Sequence, residues 1–163
     1  MSAIISAGFV WDEPAGVSHA SDTGKCKAVQ PEGLMAKTPI ILCVDDYMPN
    51  LVSLEAVLED TRWQLALVQS GQAVLNMLAA GDVSMLIMGL RFQDMDGLDL
   101  LDAISKKPTL SKLPIIVLSA ARRDEEVERR FYEKGALDYL RRPLDPFILR
   151  AKVEFLLKDS AGA

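Results

Sequence analysis

Apolar and polar positions along this chain fall into two regimes. Over residues 1–37, Gly, Ser, Ala and Pro are scattered among polar residues with no sustained period, so the stretch reads as a flexible N-terminal tail. Within it, Ile4-Ile5 and Phe9-Val10-Trp11 form a short apolar cluster. That cluster either docks on a partner or on the domain's own surface, or rides on a floppy extension. From Thr38 onward, short apolar runs alternate with amphipathic stretches. The runs 39–44, 63–68, 84–89, 113–118 and 136–140 predict five strands. The first is apolar throughout, as expected of a strand covered on both faces.

The intervening stretches carry helical spacing. Leu51, Leu54 and Leu58 recur at i, i+3 and i+7 in a helix from about Pro49. Ser70 is placed to cap a second helix with Val74 and Leu78 inward, and Asp96 a third with Leu98, Leu101 and Ile104 inward. A charged fourth helix is predicted from Arg122 to Lys134. Glu125 with Arg129 and Glu126 with Arg130 stand at i, i+4 for support, Val127 and Phe131 form its narrow apolar side, and Gly135 is its C-terminal cap. A fifth helix runs from near Pro143 to about Lys158 with two stripes, Ile148-Ala151-Phe155 and Leu149-Val153-Leu156. Either one stripe covers the sheet and the other meets a partner, or the two fuse into one core-facing band. Strand alternating with helix is the mark of an α/β fold with a parallel sheet, here over residues 38–159, with 160–163 as the C-terminal end.

Composition narrows the function. The 163 residues are half hydrophobic and carry a formal net charge of -5. That balance argues against non-specific binding to nucleic acid or to an anionic membrane. No apolar stretch is long enough to span a bilayer. The apolar start, Met1 to Val10, lacks a basic leader and runs into Asp12-Glu13-Pro14, so it does not read as a secretory signal. The two cysteines, Cys26 and Cys43, make no close-spaced pair, and the single histidine is His19. No zinc or disulfide framework follows, which suits a cytoplasmic protein. No nucleophile–base pair of an enzyme is visible.

The candidate chemistry gathers at the strand ends. Asp45 and Asp46 follow the first strand, Gly89 closes the third, Ser119 the fourth, and Arg142 follows the fifth. In doubly wound sheets, ligands bind beyond the carboxyl ends of the strands. Acid, hydroxyl and base therefore converge on one pocket, to which Gly89 at the third strand end brings no side chain.

These residues carry a resemblance. Val44-Asp45-Asp46, Met95-Asp96-Gly97, Leu118-Ser119-Ala120, Gly135-Ala136-Leu137-Asp138-Tyr139-Leu140 and Arg142-Pro143 resemble the receiver domain of two-component response regulators over about Lys37 to Asp159. The resemblance implies a flavodoxin-like five-stranded parallel sheet, order 2-1-3-4-5, doubly wound with five helices. It implies that Asp45 and Asp46 match a magnesium-binding pair, Ser119 the pocket hydroxyl and Tyr139 the switch aromatic. Arg142 replaces a lysine, Gln93 replaces a usual proline, and Gly89 falls on the phosphoacceptor aspartate.

A glycine cannot accept a phosphoryl group. The expectation is an atypical, stand-alone receiver, phosphorylation-independent, not an enzyme, and working by protein–protein contact. Magnesium is bound weakly at Asp45 and Asp46 at best. The implied partners are a histidine kinase or another signalling protein, or a second copy of the chain, through the face of the fourth helix, fifth strand and fifth helix. Candidate residues of that face are Arg122, Glu126, Arg129, Arg130, Tyr139, Leu149 and Lys152. Two alternatives stand beside it: a pseudo-receiver that senses a small ligand in the vacated pocket, and a phospho-receiver with an unexpected acceptor such as Asp94. Arg142 either bridges Asp45 or Asp46 in place of metal and phosphate, or is a drifted surface arginine. Arg91 either lends charge to the pocket mouth or is solvated.

Overall fold

A computed structural model describes residues 4–5, 9–10, 37–120, 122 and 124–161. The described elements are β1 (Ile4–Ile5), β2 (Phe9–Val10), β3 (Ile40–Val44), α1 (Met48–Leu58), β4 (Gln64–Val68), α2 (Gly71–Ala80) and β5 (Val83–Met88). They continue with α3 (Gly97–Ser105), a 3-10 turn at Pro108–Leu110, β6 (Ile115–Ser119), α4 (Glu125–Glu133), β7 (Asp138–Arg141) and α5 (Pro146–Ala161). The sheet order is β2-β1-β4-β3-β5-β6-β7. The strands from β4 to β7 in that order pair in parallel, which is the expected 2-1-3-4-5 arrangement counted from β3.

Side chains alternate across each strand, and the sheet therefore has two cores. On one face, Leu42, Val44, Leu86, Met88 and Val117 pack with Val74 and Leu78 of α2, Leu100, Leu101 and Ile104 of α3, and Phe131 of α4. On the other, Ile41, Cys43, Met85, Ile87 and Ile116 pack with Leu51, Leu54 and Leu58 of α1 and Leu149, Val153 and Leu157 of α5. Burial pushes the Cys43 thiol up to about 12. Helices on both faces explain why the strands read as unbroken apolar runs.

Helix starts are set by caps. The Ser70 hydroxyl accepts from the Ala73 N–H, and the Asp96 carboxylate from the Leu98 N–H. α4 starts later than its charge pattern suggests, because Asp124 accepts from the N–H groups of both Glu126 and Val127. α5 likewise starts at Pro146, since Asp145 accepts from Phe147 and Ile148 and Pro146 needs no donor in the first turn. It runs to Ala161, past the expected domain end. Gly135 closes α4 at φ +103°, a backbone conformation that a side chain would strain.

Two assignments on helix faces change. Leu149 is 1% exposed and belongs to the core with Val153 and Leu157, so it is not a contact residue of the interaction face. The outward stripe of α5 is Ile148, Ala151 and Phe155, joined by Phe147. In α3, Leu100 joins Leu101 and Ile104 as fully buried, whereas Leu98 is only partly so. The apolar cluster of the N-terminal region contributes β1, which pairs antiparallel with the β4 edge (Ile4 opposite Leu67, Ile5 opposite Ala66), and β2, which pairs with β1. Apart from these four residues, the region expected to be a flexible tail lies outside the described residues up to residue 36, and with it Cys26 and His19.

Candidate functional site

The carboxyl ends of the parallel strands open on a cavity of about 680 Å³. Asp45 and Asp46, Gly89, Leu118 and Ala120, and Tyr139 and Arg142 line it from four strand ends. Arg91 comes from the loop after β5, and Arg122, Asp124, Val127 and Arg130 from the approach to α4 and its first turns. The fold thus brings the predicted pocket positions Asp45, Asp46, Gly89, Tyr139 and Arg142 together with Arg122 and Arg130, which the resemblance assigned to the interaction face. Ser119 is buried at the end of β6 between two lining residues, and its main-chain carbonyl accepts from the Arg142 N–H.

Asp45 is the central acid. It is almost wholly buried and accepts from the Tyr47 N–H at Oδ1 and the Asn50 side-chain amide at Oδ2, both at 2.9 Å. Arg142 Nη2 lies 3.6 Å from the same Oδ2. That distance makes an ion pair but no hydrogen bond, so the arginine bridges Asp45 at one point and not as a two-pronged fork. At an effective dielectric near 20 such a pair attracts by about 4 kcal/mol before desolvation. Nη2 is itself buried with no hydrogen-bond partner among the described residues. Asp46, beside it in sequence, is exposed.

Gly89 is a chemical gap and not a backbone requirement. Its N–H donates to the Val44 carbonyl at 3.0 Å. A Cβ placed on it would meet Asp45 Oδ2 at 3.5 Å and Phe92 Cε1 at 3.9 Å, ordinary van der Waals contacts. By contrast, a Cβ on Gly97 would strike the Leu90 carbonyl oxygen at 2.7 Å. The Gly97 N–H donates to that oxygen at 2.8 Å and Phe92 N–H to the Met95 carbonyl at 3.0 Å, which pins the loop beyond Gly89. The loop therefore needs Gly97, whereas the pocket only tolerates Gly89.

Asp94 is engaged elsewhere. Its two oxygens accept from the N–H groups of Gly71 and Gln72 at 3.0 and 2.9 Å, at the first turn of α2. Burial works to raise its pKa, but the summed main-chain hydrogen bonds outweigh it and hold the carboxyl below its ordinary value. Sequence reasoning missed this role, and also Asn50, because the partners are main-chain groups or a neutral amide with no motif. Tyr139 is half-buried, its ring 5.9 Å from Phe131 and tilted by 50°.

For a divalent cation the donor set is short. Asp45 and Asp46 are the carboxylates at the first strand end, and both oxygens of Asp45 already accept hydrogen bonds. Among the described residues, no group of three or more His, Cys, Asp or Glu side chains is placed to share a metal. Magnesium demands a near-octahedral oxygen shell, and a guanidinium 3.6 Å from Asp45 Oδ2 adds like charge to the same spot.

On the expected interaction face, Arg129 pairs with Glu133 at 3.0 Å, Arg141 with Glu128 at 3.0 Å and Lys152 with Asp138 at 2.5 Å. Arg122, Glu126 and Arg130 are exposed. Beside them, Leu137, Phe147, Ile148, Ala151, Phe155 and Leu156 line an apolar groove of about 490 Å³. No helix among the described residues is long and apolar enough to cross a membrane.

Comparison with known proteins gives a consistent result. The family described as the response regulator receiver domain matches residues 41–154. A cyclic di-GMP phosphodiesterase response regulator, RpfG, of Xanthomonas campestris pv. campestris is 32% identical over 91% of this chain and 38% of its own length. The sensor protein GacS of Pseudomonas syringae pv. syringae is 31% identical over 68% of this chain and 12% of its own length. The chain thus spans a minor part of these relatives. A response regulator from Chloroflexus aurantiacus J-10-fl superposes with a TM-score of 0.69 at 29% identity, over 75% of this chain and 99% of that structure.

Proposed function

Because this chain belongs to the response regulator receiver domain family, we propose that it is a two-component signalling module that works by protein contact without accepting a phosphoryl group. The observation that carries this reading is Gly89, which presents no side-chain oxygen at the end of β5 although the backbone has room for a side chain. Asp94, the first carboxylate after Gly89 in sequence, is held at the start of α2 by two main-chain donors, and Asp96 caps α3. Phosphoryl transfer depends on positioning and electrostatics around an attacking oxygen. A pocket with no free, centred carboxylate supplies neither. Arg142 at Asp45 serves as a built-in counter-charge in place of magnesium.

Output then runs through the α4-β7-α5 surface. Receiver domains meet histidine kinases and other signalling proteins, and here the apolar groove around Phe147 and Phe155 supplies area while the ion pairs at its edge supply register. The test of the central claim is incubation with acetyl phosphate and magnesium followed by intact-mass measurement. The native chain is expected to stay unmodified, and the double variant Gly89→Asp/Arg142→Lys to gain one phosphoryl group. A stoichiometric adduct on the native chain would overturn the reading.

A further inference from the structure

We propose that the outer edge of β4 is a docking site for an extended, uncharged strand, and that β1 fills it in this chain as a tethered, displaceable occupant. β4 runs parallel to β3 on one side and antiparallel to β1 on the other. The Gln64 N–H donates to the Pro39 carbonyl, and the Val68 carbonyl accepts from the Asp45 N–H. Main-chain groups alternate in direction along a strand. Gln64, Ala66 and Val68 therefore turn theirs toward β3, and Leu65 and Leu67 turn theirs outward. Leu67 stands opposite Ile4, so this pair exchanges main-chain hydrogen bonds across the added edge.

The sequence of β4 makes a bare edge hazardous. Leu65 and Leu67 belong to one core and Ala66 and Val68 to the other, so the strand is apolar on both faces. From Trp63 to Gln69 there is no charge and no proline. Lysines, prolines and other charges are what keep an edge from pairing with another chain. Ser2 to Trp11 likewise carries no charged side chain and no proline, which suits a strand that joins this edge. The contact is brief, however. β1 faces β4 over two residues, whereas β3 faces it over five. A two-stranded ribbon has little stability of its own, so β1 and β2 belong to the low-stability end of the fold. Tethering offsets that weakness, because an attached segment competes at an effective concentration on the order of millimolar. A partner's strand therefore pairs at β4 only where β1 has left. The site lies at the opposite end of the sheet from β7, so it is separate from the α4-β7-α5 surface and independent of the phosphorylation reading.

The test compares the full chain with its variant Ile4→Pro/Ile5→Pro, which removes both N–H donors of β1. Amide hydrogen exchange read by NMR should show loss of protection at Leu67 in the variant. Protection at Ala66 and Val68, whose bonds run to β3, should be unchanged. The substitutions lie outside residues 41–154, which match the family, and Ala66 and Val68 report directly that the sheet is intact. A synthetic peptide of residues 1–12 with a short lysine tag, titrated to millimolar concentration, should restore protection at Leu67 in the variant. It should leave the native chain unchanged, and a scrambled peptide should affect neither. Equal protection of Leu67 in both proteins would overturn the proposal, as would no restoration by the peptide or an equal effect of the scrambled one. An equal response of the native chain would place the peptide elsewhere and sink it too. Loss of protection at Ala66 and Val68 as well would make β1 an integral strand and not a displaceable one.

Discussion

Asp45 is a buried acid held by a main-chain N–H, a side-chain amide and a guanidinium. Each partner offsets the cost of taking a carboxylate out of water. Asn50 is the least obvious of the three and makes a 2.9 Å bond. Asn50→Ala should lower stability by about 2 kcal/mol, the scale of a hydrogen bond to a charged group, as read by urea denaturation. A change within experimental error would show that water replaces the amide freely. The acid itself was legible in the run Val44-Asp45-Asp46 because it ends an apolar strand. Its partner was not, since an asparagine in the first turn of a helix has many ordinary roles. The same holds for Asp94, whose cap on α2 joins residues more than twenty positions apart.

At the scale of the element, α5 separates two kinds of apolar residue that the sequence alone left unresolved. Leu149, Val153 and Leu157 lie on the core face, whereas Phe147 and Phe155 are 80% and 70% exposed. Leu149→Ala should therefore cost about 2–5 kcal/mol. Phe155→Glu should change stability by no more than about 0.5 kcal/mol yet weaken self-association or partner binding. Chemical denaturation and analytical ultracentrifugation of both variants check the pair of outcomes. If Phe155→Glu leaves every association unchanged, the groove is not the contact face. Periodicity placed an apolar stripe every three or four residues on α5 but could not say which stripe met the sheet, because the two have nearly equal hydrophobicity.

Across the whole molecule, ion pairs tie helices that are distant in sequence. Asp60 accepts from Arg62 and Arg150, and Arg62 also reaches Glu154, so the chain after α1 is clamped to α5. These arginines also stand over the ring of Trp63, whose indole N–H donates to the Leu58 carbonyl. On the opposite face, Asp102 of α3 accepts from Lys134 beyond α4 at 2.5 Å and from Lys106. Those hydrogen bonds, Lys134 first, hold the Asp102 carboxyl down to about 2 from its ordinary 3.8. A depressed carboxyl stabilises the fold above its unfolded value and loses that contribution as pH falls through its folded value. The advantage of the native chain over Asp102→Asn should be complete above about pH 4 and vanish toward pH 2, as read from unfolding midpoints across that range. An advantage that persists unchanged at pH 2 would contradict the pairing.

Residue order alone determined the five parallel strands, the caps at Ser70 and Asp96, the acidic pair and the gap at Gly89. All of these are local: an apolar run must be buried, a short polar side chain satisfies the next N–H groups, and a glycine has no atoms to offer. Only the tertiary structure decided that four arginines share one cavity, that Asp94 serves α2, that β1 extends the sheet at β4, and that Leu149 faces inward while Phe155 does not. Those outcomes depend on distances between segments far apart along the chain, and such distances are set by how sheet and helices pack.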